Sequence, residues 1–285
     1  MTKVPTILLN NGNQMPALGF GVFQMSAEEA EQSVYEALKM GYRLIDTAAA
    51  YRNEEAVGRA IKRSGVPRGE LFITSKLWVA DVNYDGAKKA YQTLLGKLQL
   101  DYLDLYLIHQ PYNDVFGAWR AMEELYESGK VKAIGVSNFT SAKIVDFVLN
   151  VKIRPMVNQI ETHPFNQQIE ANKVMKEYGI VHEGWAPFAE GRNDLFSNKI
   201  LGEIAKRHEK TIGQVVLRWS IQRGIVAIPK SVHKERIAEN FDIFDFELSK
   251  DDMDRIAKLD ETRGLFVNHE NPEFVKMLYS RDRGK

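Results

Sequence analysis

Strand-like and helix-like segments alternate along this chain, and their order predicts an α/β fold: a closed (β/α)8 barrel of the TIM type, built as one domain over residues 1–285. Three observations carry the prediction. Eight strand-like segments are separated by helical ones at a repeat of roughly 25–40 residues, which makes neighbouring strands parallel with helical crossovers. The segment over 103–109 is an almost unbroken apolar run, the kind buried on both faces of a parallel sheet. No Gly/Pro/Ser-rich linker or shift of composition divides the chain, and eight such units favour closure over an open doubly wound sheet.

The elements follow in order. Residues 7–9 and 14–16 flank Asn10-Asn-Gly-Asn13, a β-hairpin expected to plug the N-terminal end of the barrel. The first barrel strand is 18–21. Ser26-Ala-Glu-Glu29 is a capping box, and Ala30, Val34, Ala37 and Leu38 follow at helical spacing until Gly41. Strand 43–46 comes next. Asn53 then stands where a helix N-cap belongs, opening a helix that Gly65 and Pro67 close. Strands over 71–76, 103–109, 133–137, 156–160 and 180–186 alternate with helices marked by Ala87 to Leu98, Phe116 to Leu125, Ile144 to Val148 and Ala171 to Tyr178. A loop and a helix through Ile200 to Ala205 lead to a second capping box at Thr211-Ile-Gly-Gln214. The last strand, 225–228, precedes short helices over 234–240 and 249–259. Residues 261–285 have no ninth unit to join and are expected as a lid at the other end.

Composition narrows the function. The chain has 285 residues, 44% of them hydrophobic, and 38 basic residues balance 38 acidic ones, so no global field favours nucleic acid or an anionic membrane. It contains no cysteine, which removes disulfides and thiolate metal sites and fits a reducing compartment. No apolar run approaches a membrane span and the first residues lack a signal-peptide core, so a cytoplasmic protein is expected.

In such a barrel the chemistry sits at the C-terminal ends of the strands. Reading those ends gives Asp46, Lys76, His109, Ser137-Asn138, Gln159, Trp185 and Lys230-Ser231, polar or aromatic groups after apolar strands. Asp46, Lys76 and His109 close three neighbouring strands, and Tyr51 lies on the loop behind Asp46. Lys76 is the partner a buried Asp46 needs. A lysine beside Tyr51 favours phenolate; lowering a phenol by roughly 3 units takes about 4 kcal/mol of differential interaction. Tyr51 becomes a general acid for a developing alkoxide, and His109 a second hydrogen-bond donor. Each residue alone reads better as a core group or ion pair; four converging on adjacent strand ends do not.

The other half of the ring suits an extended polar ligand. Ser137, Asn138 and Gln159 carry the donors and acceptors a carboxamide uses, and Trp185 a face for stacking. Lys230, Ser231 and Arg236, beside a helix N-terminus with Glu239 and Asn240, describe a phosphate site. Gly19-Phe-Gly21 lacks the third glycine of a dinucleotide fingerprint and reads as a loop whose backbone approaches a ligand.

These residues resemble those of the aldo-keto reductase family over nearly the whole chain. The segment 41–58 resembles the signature around the catalytic aspartate and tyrosine, Ile73-Thr-Ser-Lys-Leu-Trp78 the lysine strand and Leu107-Ile-His109 the histidine strand. Ile134-Gly-Val-Ser-Asn-Phe139 and Ile228-Pro-Lys-Ser231 resemble the cofactor segments. The resemblance implies NADPH across the barrel mouth and hydride transfer to an aldehyde or ketone. It implies Tyr51 as proton donor, Lys76 and Asp46 as the pair that tunes it, and His109 as the orienting group. It places the cofactor against Gly21, Val22, Ser137, Asn138, Gln159, Trp185, Pro187, Lys230, Ser231, Arg236, Glu239 and Asn240, with no metal. Phe23, Trp78, Gln110 and an apolar tail around 266–278 would line the substrate pocket. Two departures stand out: Trp185 where many relatives have tyrosine, and Gln110 where tryptophan is common. The chain is most similar to the bacterial group that reduces 2,5-diketo-gluconate, methylglyoxal and other aldehydes, relatives of which are often monomers. Two other readings are a cofactor-binding regulatory protein of the same fold with little turnover, and a sugar-phosphate lyase with Lys76 as a Schiff base.

Overall fold

The computed structural model describes residues 4–280. Strands β1 (Thr6–Leu8) and β2 (Gln14–Pro16) form the expected antiparallel hairpin, with Ile7 opposite Met15. The barrel strands are β3 (Gly19–Gly21), β4 (Leu44–Asp46), β5 (Phe72–Leu77), β6 (Leu105–Ile108), β7 (Ile134–Ser137), β8 (Val157–Glu161), β9 (Val181–Trp185) and β10 (Val226–Ala227). Among the described residues these eight strands make one sheet in chain order, each parallel to the next. The ring closes between its first and last members: Ala227 N–H donates to Ala17 O at 3.0 Å and Gly21 N–H to Pro229 O at 3.0 Å. A Cβ on Gly21 would lie 3.2 Å from Ile228 O, a tight approach to the backbone across the seam.

The crossovers are α1 (Ala27–Met40), α2 (Glu54–Ser64), α3 (Tyr84–Leu98), α4 (Val115–Glu127), α5 (Ser141–Asn150), α6 (Ile169–Glu177), α7 (Lys199–Arg207) and α8 (Ile212–Gln222). After β10 come α9 (Lys234–Phe241), α10 (Lys250–Ala257) and α11 (Pro272–Ser280). Both predicted capping boxes are present, Ser26 with Glu29 and Thr211 with Gln214. Gly41 ends α1 at φ 117°, a left-handed position that glycine adopts without a side-chain clash. Ser249 and Asp252 form a further box that opens α10.

The hairpin seals the bottom of the barrel. Leu9 and Met15 are buried in the main apolar core, while Asn11 and Asn13 donate to Lys132 O, just before β7, and Asn10 to Pro155 O, just before β8. Side-chain amides thus cap strand-end carbonyls that an open rim would leave to water. At the opposite end the chain after α10 reaches the mouth, where Phe266, Val267, His269, Phe274, Met277 and Leu278 line the central cavity. The last residues of the expected lid, 281–285, lie outside the described residues.

One segment departs from the expected plain loop. Between β9 and α7, Ala186, Ala189, Glu190, Asn193 and Asp194 all have φ near +50°. Left-handed backbone at non-glycine residues costs roughly 1–2 kcal/mol each. The segment is held by Arg192, which donates to Leu265 O and stacks over Phe266, and by Asn193, which donates to Glu261.

Candidate active site

A cavity of about 1900 Å³ opens at the C-terminal ends of the strands. Of the residues expected around a ligand, all but Val22 and Lys76 line it. Val22, between the lining residues Gly21 and Phe23, is itself buried; its N–H donates to Asp46 O and its carbonyl accepts from Asn53. Lys76 lies behind Tyr51, with 0% of its side chain exposed.

The parallel register explains how distant residues meet. Asp46 ends β4, Lys76 lies near the end of β5, and His109 N–H continues the ladder past β6 by donating to Leu77 O. Lys76 Nζ lies 2.5 Å from Asp46 Oδ1, 3.0 Å from Thr47 O and 3.2 Å from Tyr51 Oη. Its three N–H groups therefore have three acceptors. Burial pulls this ammonium's pKa down, but Asp46 and Tyr51 outweigh it and hold the group above its ordinary range.

Tyr51 behaves differently from the expectation. Burial pushes the phenol up, Lys76 pulls it down, and Asp46 and Glu183 push it up again, leaving it above its ordinary value. Desolvation, together with the Asp46 carboxylate beside the lysine, outweighs the pull of Lys76 on the phenol. His109, edge-on to Tyr51 at 5.7 Å between ring centres, is held neutral by burial and by Lys76 and His269.

Asn53 also differs. It occupies the N-cap position of α2, but its side chain makes no capping bond there. Its amide donates to Val22 O at 2.9 Å and accepts from Thr47 Oγ1 at 3.1 Å, clipping the loop after β3 to the loop that carries Tyr51.

On the other half of the ring, Ser137, Asn138, Gln159 and Trp185 are bonded to one another. Ser137 Oγ donates to Gln159 O, and Asn138 Nδ2 to both Ser137 Oγ and His109 O. Trp185 Nε1–H donates to Asn138 Oδ1 at 3.0 Å, a bond made by the indole that stands where many relatives have tyrosine. Gln159 Nε2 donates to Asp46 Oδ2 and to Glu183 Oε2, both at 2.9 Å, which leaves its Oε1 free to accept. Glu183 is fully buried and is absent from the strand-end reading because it sits inside β9. Its signal was a carboxylate in an otherwise buried strand.

Toward the far end, Lys230 and Arg236 are exposed beside the N-terminus of α9, while Ser231 and Asn240 are buried. Glu239 accepts from Thr211 Oγ1 at 2.7 Å. On the near side Phe23, Trp78 and Gln110 line the cavity, as does His269 from the tail. The tail is therefore not wholly apolar. His109 Nδ1, Gln110 Oε1 and His269 Nε2 are buried without a hydrogen-bond partner among the described residues.

Comparison with known proteins agrees with this fold. The pattern described as the aldo/keto reductase family matches residues 17–261. The glyoxal reductase of Bacillus subtilis (strain 168) is 51% identical over 265 residues, 92% of this chain and 95% of that protein. Methylglyoxal reductase DkgA of Escherichia coli (strain K12) is 45% identical over 265 residues, 92% of this chain and 96% of its own length. A crystal structure of a Bombyx mori aldo-keto reductase in complex with NADP superposes with a TM-score of 0.89 at 36% identity, covering 97% of this chain and 98% of that one.

Proposed function

The chain belongs to the aldo/keto reductase family, and from that premise we propose that it reduces small aldehydes and ketones to alcohols with NADPH. The observation that carries the reading is Tyr51 Oη at 3.2 Å from a lysine that is itself 2.5 Å from Asp46, at the wall of a deep cavity. The cavity suits the cofactor. Its far end offers Lys230, Ser231 and Arg236 to a phosphate, its middle offers Trp185 for stacking, and Gln159 Oε1 is an unused acceptor for a carboxamide N–H. Bound there, NADPH supplies the hydride.

The chain's own residues do the rest. Tyr51 is protonated at neutral pH, as a proton donor must be, because burial holds its phenol high. Lys76 stabilises the phenolate as the proton leaves for the developing alkoxide. Asp46 keeps Lys76 charged and fixed. Neutral His109 orients the carbonyl oxygen. The unpaired His269 Nε2, protonated as the Nε2–H tautomer, is a donor for the second oxygen of a dicarbonyl, in keeping with relatives named for glyoxal and methylglyoxal.

Tyr51→Phe tests the assignment. NADPH should still quench tryptophan fluorescence, while turnover of methylglyoxal, followed as NADPH absorbance, should fall by about 10²–10⁴-fold. Full activity in that variant would overturn the role of Tyr51. Cofactor binding by the native chain without turnover of any aldehyde or ketone would favour a regulatory protein instead.

A further inference from the structure

Glu183 is a buried acid that the mechanism above does not use. It lies inside β9, two residues before Trp185, so both side chains stand on the same face of the strand. That face is the barrel interior, since Gln159 reaches from β8 to bond Glu183 and Asp46 together. Glu183 therefore sits one layer beneath Trp185, joined through Gln159 to the cavity wall that Asp46, Gln159 and Trp185 line. One of its oxygens accepts from Gln159; the other is buried with no partner among the described residues.

The charges around it are few. Asp46 on β4 and Lys76 on β5 neutralise each other. Tyr51 lies on the loop after β4, and β8 supplies the uncharged Gln159. In register on β10 stands apolar Val226. His182 faces the other way, toward Asn172 of α6 and Thr162, and Glu161 is tied to His163 and Leu265 N. An ionised Glu183 would leave this buried group with one uncompensated negative charge and an unsatisfied oxygen, both costly. Burial, then Asp46, accordingly push its carboxyl up to about 8.

We propose that Glu183 is the counter-charge for the oxidised cofactor, giving up its proton when NADP+ occupies the cavity and keeping it when NADPH does. The inference rests on the seating of the nicotinamide against Trp185 proposed above. An oxidised nicotinamide is a cation and a reduced one is neutral. A cation above Glu183 restores charge balance to Lys76, Asp46 and an ionised Glu183; a neutral ring does not. The step is a proton equilibrium: the carboxylic acid becomes a carboxylate, its proton goes to solvent, and no bond to the cofactor forms.

Dissociation constants of both cofactors, measured by quenching of tryptophan fluorescence from about pH 6 to about pH 8, test this. Their ratio cancels titration of the adenosine phosphate, which the two share. The relative affinity for NADP+ should rise by up to about tenfold per pH unit and level off near the top of that range. Calorimetry near pH 7 in buffers of different protonation enthalpy should record about one more proton released with NADP+ than with NADPH. Glu183→Gln keeps an acceptor for Gln159 Nε2 and should bind both cofactors with a ratio that no longer changes with pH. A flat ratio and equal proton counts in the native chain would overturn the proposal, even if the variant failed to fold. So would a slope that survives in Glu183→Gln. Failure of either cofactor to bind would instead overturn the reading of the cavity itself.

Discussion

At the scale of single residues, the site is defined as much by what is left unbonded as by what is paired. Gln110 and His269 hold buried polar atoms toward the substrate side with no partner among the described residues. Such atoms cost free energy unless a ligand satisfies them. His269 Nε2 is the one of the two that can donate to a second carbonyl oxygen, so His269→Phe should lower kcat/KM for methylglyoxal about tenfold relative to propanal, which lacks that oxygen. Equal losses for the two substrates would show that His269 does not read it. Most of the residues that meet at the candidate site were legible because strand ends in a barrel are where polar groups must have a reason. Glu183, Asn53 and Val22 were harder. Glutamate within a short strand gives no sign of which face it takes, Asn53 has the right type and place for a cap but bonds to Val22 O and Thr47, and Val22 is buried with both backbone groups bonded.

At the scale of elements, β9 carries two neighbouring titratable groups on opposite faces with opposite effects on stability. Burial, then Arg223 and Lys176, lowers His182 from 6.5 to about 3, so the unfolded chain binds the extra proton between those values and stability falls as pH drops through them. Glu183 is raised from 4.5 to about 8, so the folded chain holds the extra proton and stability falls as pH rises across that range. Considered together in the cofactor-free chain, they give a plateau from about pH 4.5 to about pH 6.5, where the two slopes cancel. Thermal melts across pH check this: Glu183→Gln should remove the alkaline limb and His182→Gln the acid one, each worth a few kcal/mol. An unaltered profile in both variants would reject the assignment. Neither limb was visible in the sequence, because burial of a residue on a two-residue-period strand depends on what packs on each face. Strand order and helix caps were visible, since they rest on local periodicity and cap chemistry. The left-handed run after β9 was not, as Ala and Glu carry no local mark of that conformation.

At the scale of the whole molecule, the two ends of the barrel do different work. The hairpin closes the bottom with Leu9 and Met15 in the core, and every group near Tyr51 lies at the top. Met15→Ala should lower the unfolding free energy by about 2–5 kcal/mol and leave kcat unchanged. A matching fall in kcat would mean that the plug is coupled to the site. The ring was predictable as a whole because eight βα units of this length have few other ways to bury both faces of their strands. The seam was not, since β10 contributes only Val226 and Ala227 to the ladder and relies on backbone bonds from Ala17 and Gly21.

In the proposed reaction, Lys76 shows what this architecture achieves. Its three hydrogens already point at Asp46, Thr47 and Tyr51, and no solvent reaches it. Water would have to turn its dipoles afresh around each new alkoxide. Here the dipoles were turned once, during folding, and they stay turned from one catalytic cycle to the next.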